Sequence, residues 1–524
     1  MNAIGPTSGL WMLLALGLLI VATGLPVRAL LIGTASLFAV LGLAAGVIDL
    51  NVLAVLPART VGLLEHDLLQ ALPLYVLVGV LLQRLTVADA MFLSLSHLFR
   101  RTGARDALAA LGVGALVAPM NGSVASSSAL LSRLVAPRLG QLDAARATVL
   151  ISVAATIGVV VPPSLVLILL GDAMLRAHTE ASNLPGFVLG TQRIINTQDV
   201  FNAALLPTLC VLLLWALLAA FQGQNKRTSS PIAPVKYTQL AIFIVATGVI
   251  LLLLGGVFTG KLFAVEAAAT GGVLLMAATL ATRALNWAQW REVLADTLAL
   301  TGALFALLVG ASTFSLVFRL LGTDRWIDHA VLVSTLSPHA TAALVLLGVA
   351  LCAWVLDAFE MIFVIIPIVA PPLIAKLGDA QQTAVLLLLV LQLSFLIPPM
   401  GYAVLMARAR SGLRAVSTLA IWRSVWPFAL VQIALIATVF AVPQAVHLLD
   451  VPAAAASNNP PASAQDIEKL MEEMSPQTTP AADTAAERPA SPSPSPPPSL
   501  QPDPIQRLKT VNKTPKIYAK GARA

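Results

Sequence analysis

Two short polar stretches interrupt long apolar segments of this sequence. The first, "NGSVASSS", carries Asn121, Ser123 and Ser126, and the second, "LDAFEM", carries Asp357 and Glu360. Amide, hydroxyl and carboxylate oxygens are the ligands that hard cations prefer. A carboxylate at the centre of a bilayer costs at least ~2.5 kcal/mol and marks a functional candidate. The alternative role is helix capping, with Asn121 as an N-cap and Asp357 and Glu360 as a capping box, and both roles are compatible.

Paired prolines interrupt two further apolar stretches, "VVVPPSL" at 159–165 and "FLIPPMG" at 395–401. A proline inside a helix removes a backbone hydrogen bond and costs ~3 kcal/mol. Lipid offers no water to the freed groups, so such breaks are tolerated only against protein or beside a wet cavity. A lone pair of prolines indicates a kink, whereas two matched pairs predict two discontinuous helices that build a site. These prolines are Pro162, Pro163, Pro398 and Pro399.

The polar tips and the proline breaks form an internal repeat. Asn121 and Asp357 are 236 positions apart, and so are Pro162 and Pro398. Inverted repeats with broken helices are the signature of secondary transporters, whose sites lie where the breaks converge. Polar or small residues beside the breaks join the candidate site, with interhelical hydrogen bonding and close packing as the alternative. They are Thr156, Gly158, Gln392 and Ser394.

The composition predicts an all-α integral membrane protein. The chain has 524 residues, of which 58% are hydrophobic and 11% charged, and its mean hydropathy is +0.87. Soluble domains carry about 25% charged residues. The predicted spans are 9–25, 29–48, 68–85, 147–175, 201–221, 238–257, 262–282, 297–320 and 425–447, with interrupted apolar regions at 106–140, 340–377 and 382–407.

The basic residues predict orientation and exclude some functions. The net charge of +7 is distributed in short runs between apolar segments, which is typical of cytoplasmic loops and not of a nucleic-acid partner. Runs that include Arg28, Arg133 and Arg408 all fall inside only if 106–140 is a re-entrant hairpin and 340–377 is a hairpin from the opposite side. The sequence has no Walker loop, zinc spacing or nucleophile elbow, so neither an ATP-driven motor nor an enzyme is predicted.

The predicted domain organisation is a membrane transporter domain and a tail. Residues 1–450 form the polytopic domain, with the first repeat at 106–175, the second at 340–410 and the other helices mainly as scaffold. Residues 451–524 contain "SPSPSPPPSL" and few large apolar side chains, and end in a basic segment. This composition predicts a disordered Pro/Ser/Ala-rich tail.

Five longer stretches together resemble the large, DctM-type membrane subunit of tripartite ATP-independent periplasmic (TRAP) transporters. The resemblance covers about 1–450. "LDAFEM", "LQLSFLIPPMGYA" and "IWRSVWPFALVQ" are most similar to the branch named for mannitol or chloroaromatic compounds, which moves small carboxylates such as lactate or 2-oxo acids. The stretches are "NGSVASSSAL", "ATIGVVVPPSLVLILLGD" at 155–172, "GGVFTGKLFAVEAAATGG" at 255–272, "LDAFEMIFVIIPIVAPP" at 356–372 and "LQLSFLIPPMGYAVL" at 391–405.

The resemblance implies an inverted-repeat, elevator-type transporter in the bacterial inner membrane. Its implied partners are a small four-helix membrane subunit, as a separate chain, and a periplasmic solute-binding protein. It implies no cofactor other than Na⁺ as coupling ion. Carried over to this sequence, the family's sodium sites point to Asn121, Gly122, Ser123 and Gly158 in one half, and to Asp357, Ser394, Pro398 and Gly401 in the other.

Two functional hypotheses from different classes remain open at this point. The first is the membrane subunit of a secondary active, sodium-coupled importer of small organic acids. The second is a non-transporting scaffold or receptor built on a degenerate transporter fold, with the tail recruiting partners. A passive channel is a third, less specific option.

Overall fold

The structure is a computed structural model and describes residues 5–65, 67–70, 72–121, 123–135, 143–162, 164–185, 195–223, 235–259, 261–397, 401–410 and 416–450. The described secondary structure is entirely helical. The predicted tail at 451–524 lies outside the described residues.

The first half of the chain contains twelve described helices. They are α1 (Ser8–Thr23), α2 (Val27–Ala44), α3 (Leu50–Leu53), α4 (Leu56–Leu64), α5 (Asp67–Gln70), α6 (Leu72–Arg84), α7 (Val87–Leu98), α8 (Arg105–Asn121), α9 (Val124–Val135), α10 (Ala144–Val160), α11 (Leu165–Ala181) and α12 (Thr197–Gly223).

The second half continues the same architecture. Its helices are α13 (Tyr237–Phe258), α14 (Ala264–Ala281), α15 (Trp287–Leu320), α16 (Thr323–Leu332), α17 (Pro338–Cys352), α18 (Ala358–Glu360), a π-helical turn (Met361–Ile365), α19 (Ile366–Leu377), α20 (Ala380–Ser394), α21 (Tyr402–Arg410), α22 (Thr418–Ala441) and α23 (Gln444–His447).

The described helices are long and apolar enough for the chain to cross a membrane several times. Six of them are long and apolar enough to span, or up to eight spans if each of two bent pairs counts as one. One bent pair is α10 with α11, at 43°, which is the predicted first broken helix. The other is α6 with α7, at 64°, where the sequence analysis predicted one span at 68–85 and no second helix.

The predicted interruptions are present in both repeats. The chain breaks between α8 and α9, between α10 and α11, between α17 and α18, and between α20 and α21. The starts of α10 and α20 are offset by the same 236 positions that separate the sequence motifs. The sequence pattern therefore predicted the order and spacing of the broken elements.

Each repeat packs one of its helices against a helix of the other repeat. Helix α9, the second limb of the first hairpin, packs against α21 of the second repeat, and α19 of the second hairpin packs against α11 of the first. Helices α10 and α20 contact each other directly. A reciprocal contact of this kind is what a two-fold relation between equivalent units produces.

Three parts of the fold differ from the sequence-based prediction. Helix α15 begins at Trp287 and is 34 residues long, about ten residues more than the predicted span at 297–320, because the Asn286 side chain caps it by accepting a hydrogen bond from the Gln289 amide at 2.8 Å. Helices α3 and α4 were not predicted, since they are short, and α5 falls at the start of the predicted span 68–85. The amphipathic α16, which follows the left-handed Gly322, was also not predicted.

Candidate functional site

A cavity of about 690 Å³ lies where the two repeats meet, and is called the central cavity below. The first hairpin contributes Ser123 and Ser126, and the second contributes Asp357 and Glu360. Leu165 and Tyr402, the first residues of the half-helices that follow the two breaks, also line it. The structure thus brings both predicted tips and both post-break helix starts to one space.

The first tip is built around the start of α9. The Ser123 carbonyl accepts a hydrogen bond from the Ser127 amide at 3.0 Å, which places Ser123 at the cap position. Asn121 is the last residue of α8, so its interpretation as an N-cap is wrong. The Gln83 side-chain amide donates to the Ser126 hydroxyl at 2.6 Å, and this bond ties the tip to α6.

The second tip is built around two carboxylates. Asp357 is the N-cap of the helical stretch that begins with α18, and its Oδ1 accepts from the Ala358 amide at 2.8 Å. The Asp357 side chain does not accept from the Glu360 amide, so this half of the predicted capping box is wrong. The other half is present, because the Glu360 carboxylate accepts a hydrogen bond from the Asp357 amide. Glu360 is 8% exposed, and its Oε2 has no hydrogen-bond partner in the described part of the chain.

Among the described residues of the first break, Leu165 at the start of α11 is the one that lines the central cavity. Ser164 precedes α11 in extended conformation and is fully buried, and its hydroxyl has no hydrogen-bond partner among described residues. Pro162 is buried and lines a different cavity, of about 240 Å³, between α12 and α13. Pro162 therefore ends α10, and it is not itself part of the central cavity.

Thr156 and Gln392 form a buried polar cluster outside the central cavity. The two residues are 236 positions apart, and the Gln392 amide donates to the Thr156 carbonyl at 3.5 Å. Gln432 of α22 donates to Gln392 Oε1 at 2.8 Å. All three side chains are fully buried. Repeat-equivalent residues in mutual contact place the local two-fold axis between α10 and α20.

The small residues of the candidate set serve close packing. A Cβ on Gly158 would lie 2.5 Å from the Ala118 carbonyl carbon, and one on Gly401 would lie 2.9 Å from the carbonyl oxygens of Phe395 and Ile397. The Ser394 hydroxyl donates to the Val390 carbonyl of its own helix at 2.8 Å. These contacts account for the residue types without a ligand.

The charges of the central cavity have both signs. Arg28 and Arg84 line it together with Asp357, Glu360 and Asp296. Arg84 binds Glu292 and, at 2.8 Å, Asp296, so its charge is largely balanced. Helix starts carry a partial positive charge that favours anions. Carboxylate and hydroxyl oxygens at the tips favour a cation.

A family comparison decides the identity of this assembly. Residues 13–445 match the model of the family described as "Tripartite ATP-independent periplasmic transporter, DctM component". The chain belongs to this TRAP transporter family.

The crystal structure of the Alcanivorax borkumensis YdaH transporter shares the fold. Its TM-score is 0.56 at 13% sequence identity, over 84% of this chain and 98% of the YdaH chain. At this identity the similarity concerns the fold alone. A comparison with curated proteins gave no match. The DctM family match confirms that the chain is a multi-pass transporter component and not an enzyme.

Several residues of this DctM chain that line the central cavity or touch its walls were missed from the sequence. Tyr402 and Leu165 are half-helix starts, which the proline motifs could have located. Gln83 and Arg84 lie at the end of α6, where only the fold shows their proximity to the tips. Gln432 lies in α22, outside both repeats, and no sequence signal linked it to Gln392.

Four predicted site residues lie outside the described part of the chain. They are Gly122, Pro163, Pro398 and Pro399. Asn121 is described only as the end of α8.

Proposed function

We propose that this chain is the large membrane subunit of a sodium-coupled TRAP importer of small carboxylates. The observation that carries the proposal is the central cavity, in which both hairpin tips and both post-break helix starts converge. Of the two hypotheses from the sequence, a scaffold that does not transport has no need for this convergence.

The central cavity supplies groups for an anion and for a cation. The starts of α9, α11 and α21 direct partial positive charge towards it, which favours a substrate carboxylate. The Asp357 carboxylate and the Ser123 hydroxyl offer oxygen ligands to Na⁺ at the two tips. Glu360, with its unpartnered Oε2, adds a buried oxygen beside them. We therefore assign coupling-ion sites to the tips and the substrate to the space between them.

The remaining family-derived assignments stay part of the proposal. Sodium near Asn121, Ser123 and Gly158 would use oxygens of the α8 end and the α9 start, since Gly158 packs against the Ala118 backbone. Sodium near Asp357, Ser394 and Gly401 would use the cap carboxylate and carbonyls around the second break.

An elevator movement is consistent with the face that α15 presents to the repeats. Asp296, Leu300, Ala303 and Leu307 lie on one stripe of α15 and line the central cavity. The repeats pack on each other reciprocally, whereas α15 packs mainly on α2 and α6 and touches the second repeat at the π-helical turn Met361–Ile365. A body made of both repeats would slide along this stripe and carry its cargo with it. Because Arg28, predicted on the cytoplasmic side, lines the central cavity, we infer that this arrangement is inward-facing.

The proposed partners are those of a tripartite system in the bacterial inner membrane. They are a small four-helix membrane subunit on a separate chain and a periplasmic solute-binding protein. Helix α13 is suited to a contact with the small subunit, because only 11% of its most apolar 18-residue segment is buried within this chain. We propose the lactate or 2-oxo acid branch for the substrate, on the resemblance of the second repeat.

The test is uptake into proteoliposomes that contain this chain, its small subunit and its solute-binding protein. Radiolabelled pyruvate, L-lactate and succinate are supplied with and without an inward Na⁺ gradient. We expect accumulation that requires the gradient and is lost in Asp357→Asn. Asp143→Asn is the matched control, because it makes the same change at an exposed carboxylate that caps no amide of α10 and does not line the central cavity.

The alternative functions predict different results in the uptake assay and in cells. Accumulation indifferent to Na⁺ would refute the coupling, and conduction without the solute-binding protein would indicate a channel. A chain that functions in cells with Asp357→Asn but not after deletion of 451–524 would be a scaffold.

A further inference from the structure

A second cavity, of about 800 Å³, lies beside the central cavity and is called the arginine chamber. Its charged lining residues come from three helices: α4, α11 and α15. Ser312, Ser315 and Thr179 add hydroxyl groups, and the second limb of the second hairpin adds Ile362, Phe363 and Pro367. The charged residues are Arg59, Asp172, Arg176, Glu180 and Arg319.

The residues that line the arginine chamber include one more positive than negative side chain. Arg176 pairs with Asp172 at 3.0 Å, and Arg319 pairs with Glu180 at 2.7 Å. Arg59 has no ion pair within the part of the chain that the structure describes. Burial lowers the pKa of Arg59, as do the charges of Arg319 and Arg176, against the opposing effect of Glu180. Among the residues that line the chamber, three guanidinium groups thus face two carboxylates. Asp328 of α16 does not line the chamber but lies close enough to interact with both Arg319 and Glu180.

The chamber and the central cavity lie one after the other along α15. The stripe that lines the central cavity ends at Leu307, and the same helix face continues through Leu308, Ser312, Ser315 and Arg319 into the chamber. The midpoints of the two lining stretches are about twelve residues apart, or roughly 18 Å at 1.5 Å per residue.

The second hairpin separates the two spaces. Phe359 and Glu360 line the central cavity, and Ile362 and Phe363 line the chamber. Arg319 belongs to α15, and Glu180 belongs to α11 of the first repeat. Their ion pair therefore joins the stationary helix of the proposed mechanism to the body that carries the cargo.

We propose that the arginine chamber is a second binding site for a small carboxylate, in which the anion binds Arg59 and competes with Glu180 for Arg319. The proposal rests on the proposed function for the class of ligand. The chamber receives the anion before it reaches the central cavity, and displacement of Glu180 releases the contact between α11 and α15. An anion is the right occupant because the chamber holds one guanidinium more than it holds carboxylates.

The test uses a cysteine inside the chamber and does not depend on transport. Ser312→Cys is introduced after Cys210 and Cys352 have been replaced by Ala, in the full chain with its small subunit. Reaction rates are measured with the anionic sulfonatoethyl and the cationic trimethylammonioethyl methanethiosulfonate, with and without pyruvate. We expect the anionic reagent to be favoured and pyruvate to slow its reaction.

Arg59→Gln should lower the ratio of anionic to cationic reaction rates several-fold, on the order of five for one charge in a partly solvated cavity, and should abolish protection by pyruvate. Arg325→Gln is the matched control, because it removes a positive charge from the exposed face of α16. Asp357→Asn should keep the protection while losing uptake, since it alters only the central cavity.

Two results would overturn the proposal. Protection that persists in Arg59→Gln would place the anion elsewhere. A charge preference without protection by pyruvate, L-lactate or succinate would show a positive vestibule that binds no carboxylate. Because the readout in both cases is the reaction rate of the cysteine introduced by Ser312→Cys, a failure of the proposed transport function does not change it.

Discussion

Replacing Gly158 by Ala tests the close approach of α8 and α10 that positions the first tip. An alanine Cβ at this position would lie 2.5 Å from the Ala118 carbonyl carbon and 2.6 Å from its oxygen. Both are backbone atoms, so no rotamer change relieves the contact. The two helices must move apart.

The required movement sets the size of the effect. Ordinary contact between carbon atoms begins near ~3.5 Å, so α8 must shift by about 1 Å. Overpacking of this kind costs about 1–3 kcal/mol. Ala118 lies three residues before the end of α8, and the shift is therefore transmitted to the hairpin tip. A misplacement of about 1 Å at a positioned site can lower a rate ~100-fold, so uptake should fall more than stability.

The comparison needs a glycine-to-alanine change without a clash. Gly302 lies within α15, and a Cβ there meets nothing within 4 Å. Gly302→Ala should be neutral or stabilising by up to ~1 kcal/mol, since alanine is the better helix former. Both variants are measured in detergent by the midpoint of denaturant unfolding, and in proteoliposomes by uptake of the transported carboxylate.

The result that would refute the argument is a Gly158→Ala protein as stable as Gly302→Ala and with normal uptake. It would mean that α8 and α10 are not in backbone contact at Ala118. A Gly158→Ala protein that is stable but lacks uptake would be consistent with the contact between α8 and α10. It would show that this contact matters only for the position of the tip.

Two further predictions concern the polar end of α20, outside the spanning segments. Burial lowers the pKa of His447, but its hydrogen bonds and ion pairs with Asp379 and Asp450, at 2.7 and 2.8 Å, outweigh this and raise the pKa overall. The resulting stabilisation is fully present below the ordinary histidine value of about 6.5 and is lost as pH rises through the raised pKa. The unfolding midpoint of the wild type should therefore fall over that range, and the fall should be smaller in His447→Gln; equal pH dependence of both proteins would contradict the assignment. Gln382→Met should destabilise the protein by about 1–3 kcal/mol. The Gln382 side chain is 2% exposed, and its amide donates to two carbonyls of the last turn of α22. Unchanged denaturant unfolding would show that those carbonyls have other donors.

The broken elements could be predicted from sequence because each break has a local chemical cause. A proline removes an amide donor, and a polar run in an apolar segment marks a turn. Both signals occur twice with one spacing, so the order hairpin, linker and broken helix followed without a structure. Helices α3 and α4 could not be predicted in the same way, since segments of four to nine residues leave little periodicity.

The candidate site was predicted less completely, because it depends on contacts between distant segments. Thr156 and Gln392 were selected as neighbours of the breaks, yet they face each other in the core, with Gln432 beside them. Which face of α10 or α20 turns towards the cavity depends on tertiary packing. Gln83 and Arg84 were missed for the same reason, since α6 approaches the tips only in the folded chain.

Under the proposed function, the reciprocal packing of the repeats would couple the ion and the substrate in one cavity. Helix α9 packs against α21, and α19 packs against α11, so each hairpin rests on the half-helix that follows the other repeat's break. A ligand that orders the first tip at Ser123 would also fix the start of α21 at Tyr402, and an ion at Asp357 would fix the start of α11. Each ligand would then reduce the conformational cost that the other must meet, which is positive cooperativity. In the proposed elevator mechanism the two repeats would therefore move as one body past α15, whose single face lines both the central cavity and the arginine chamber.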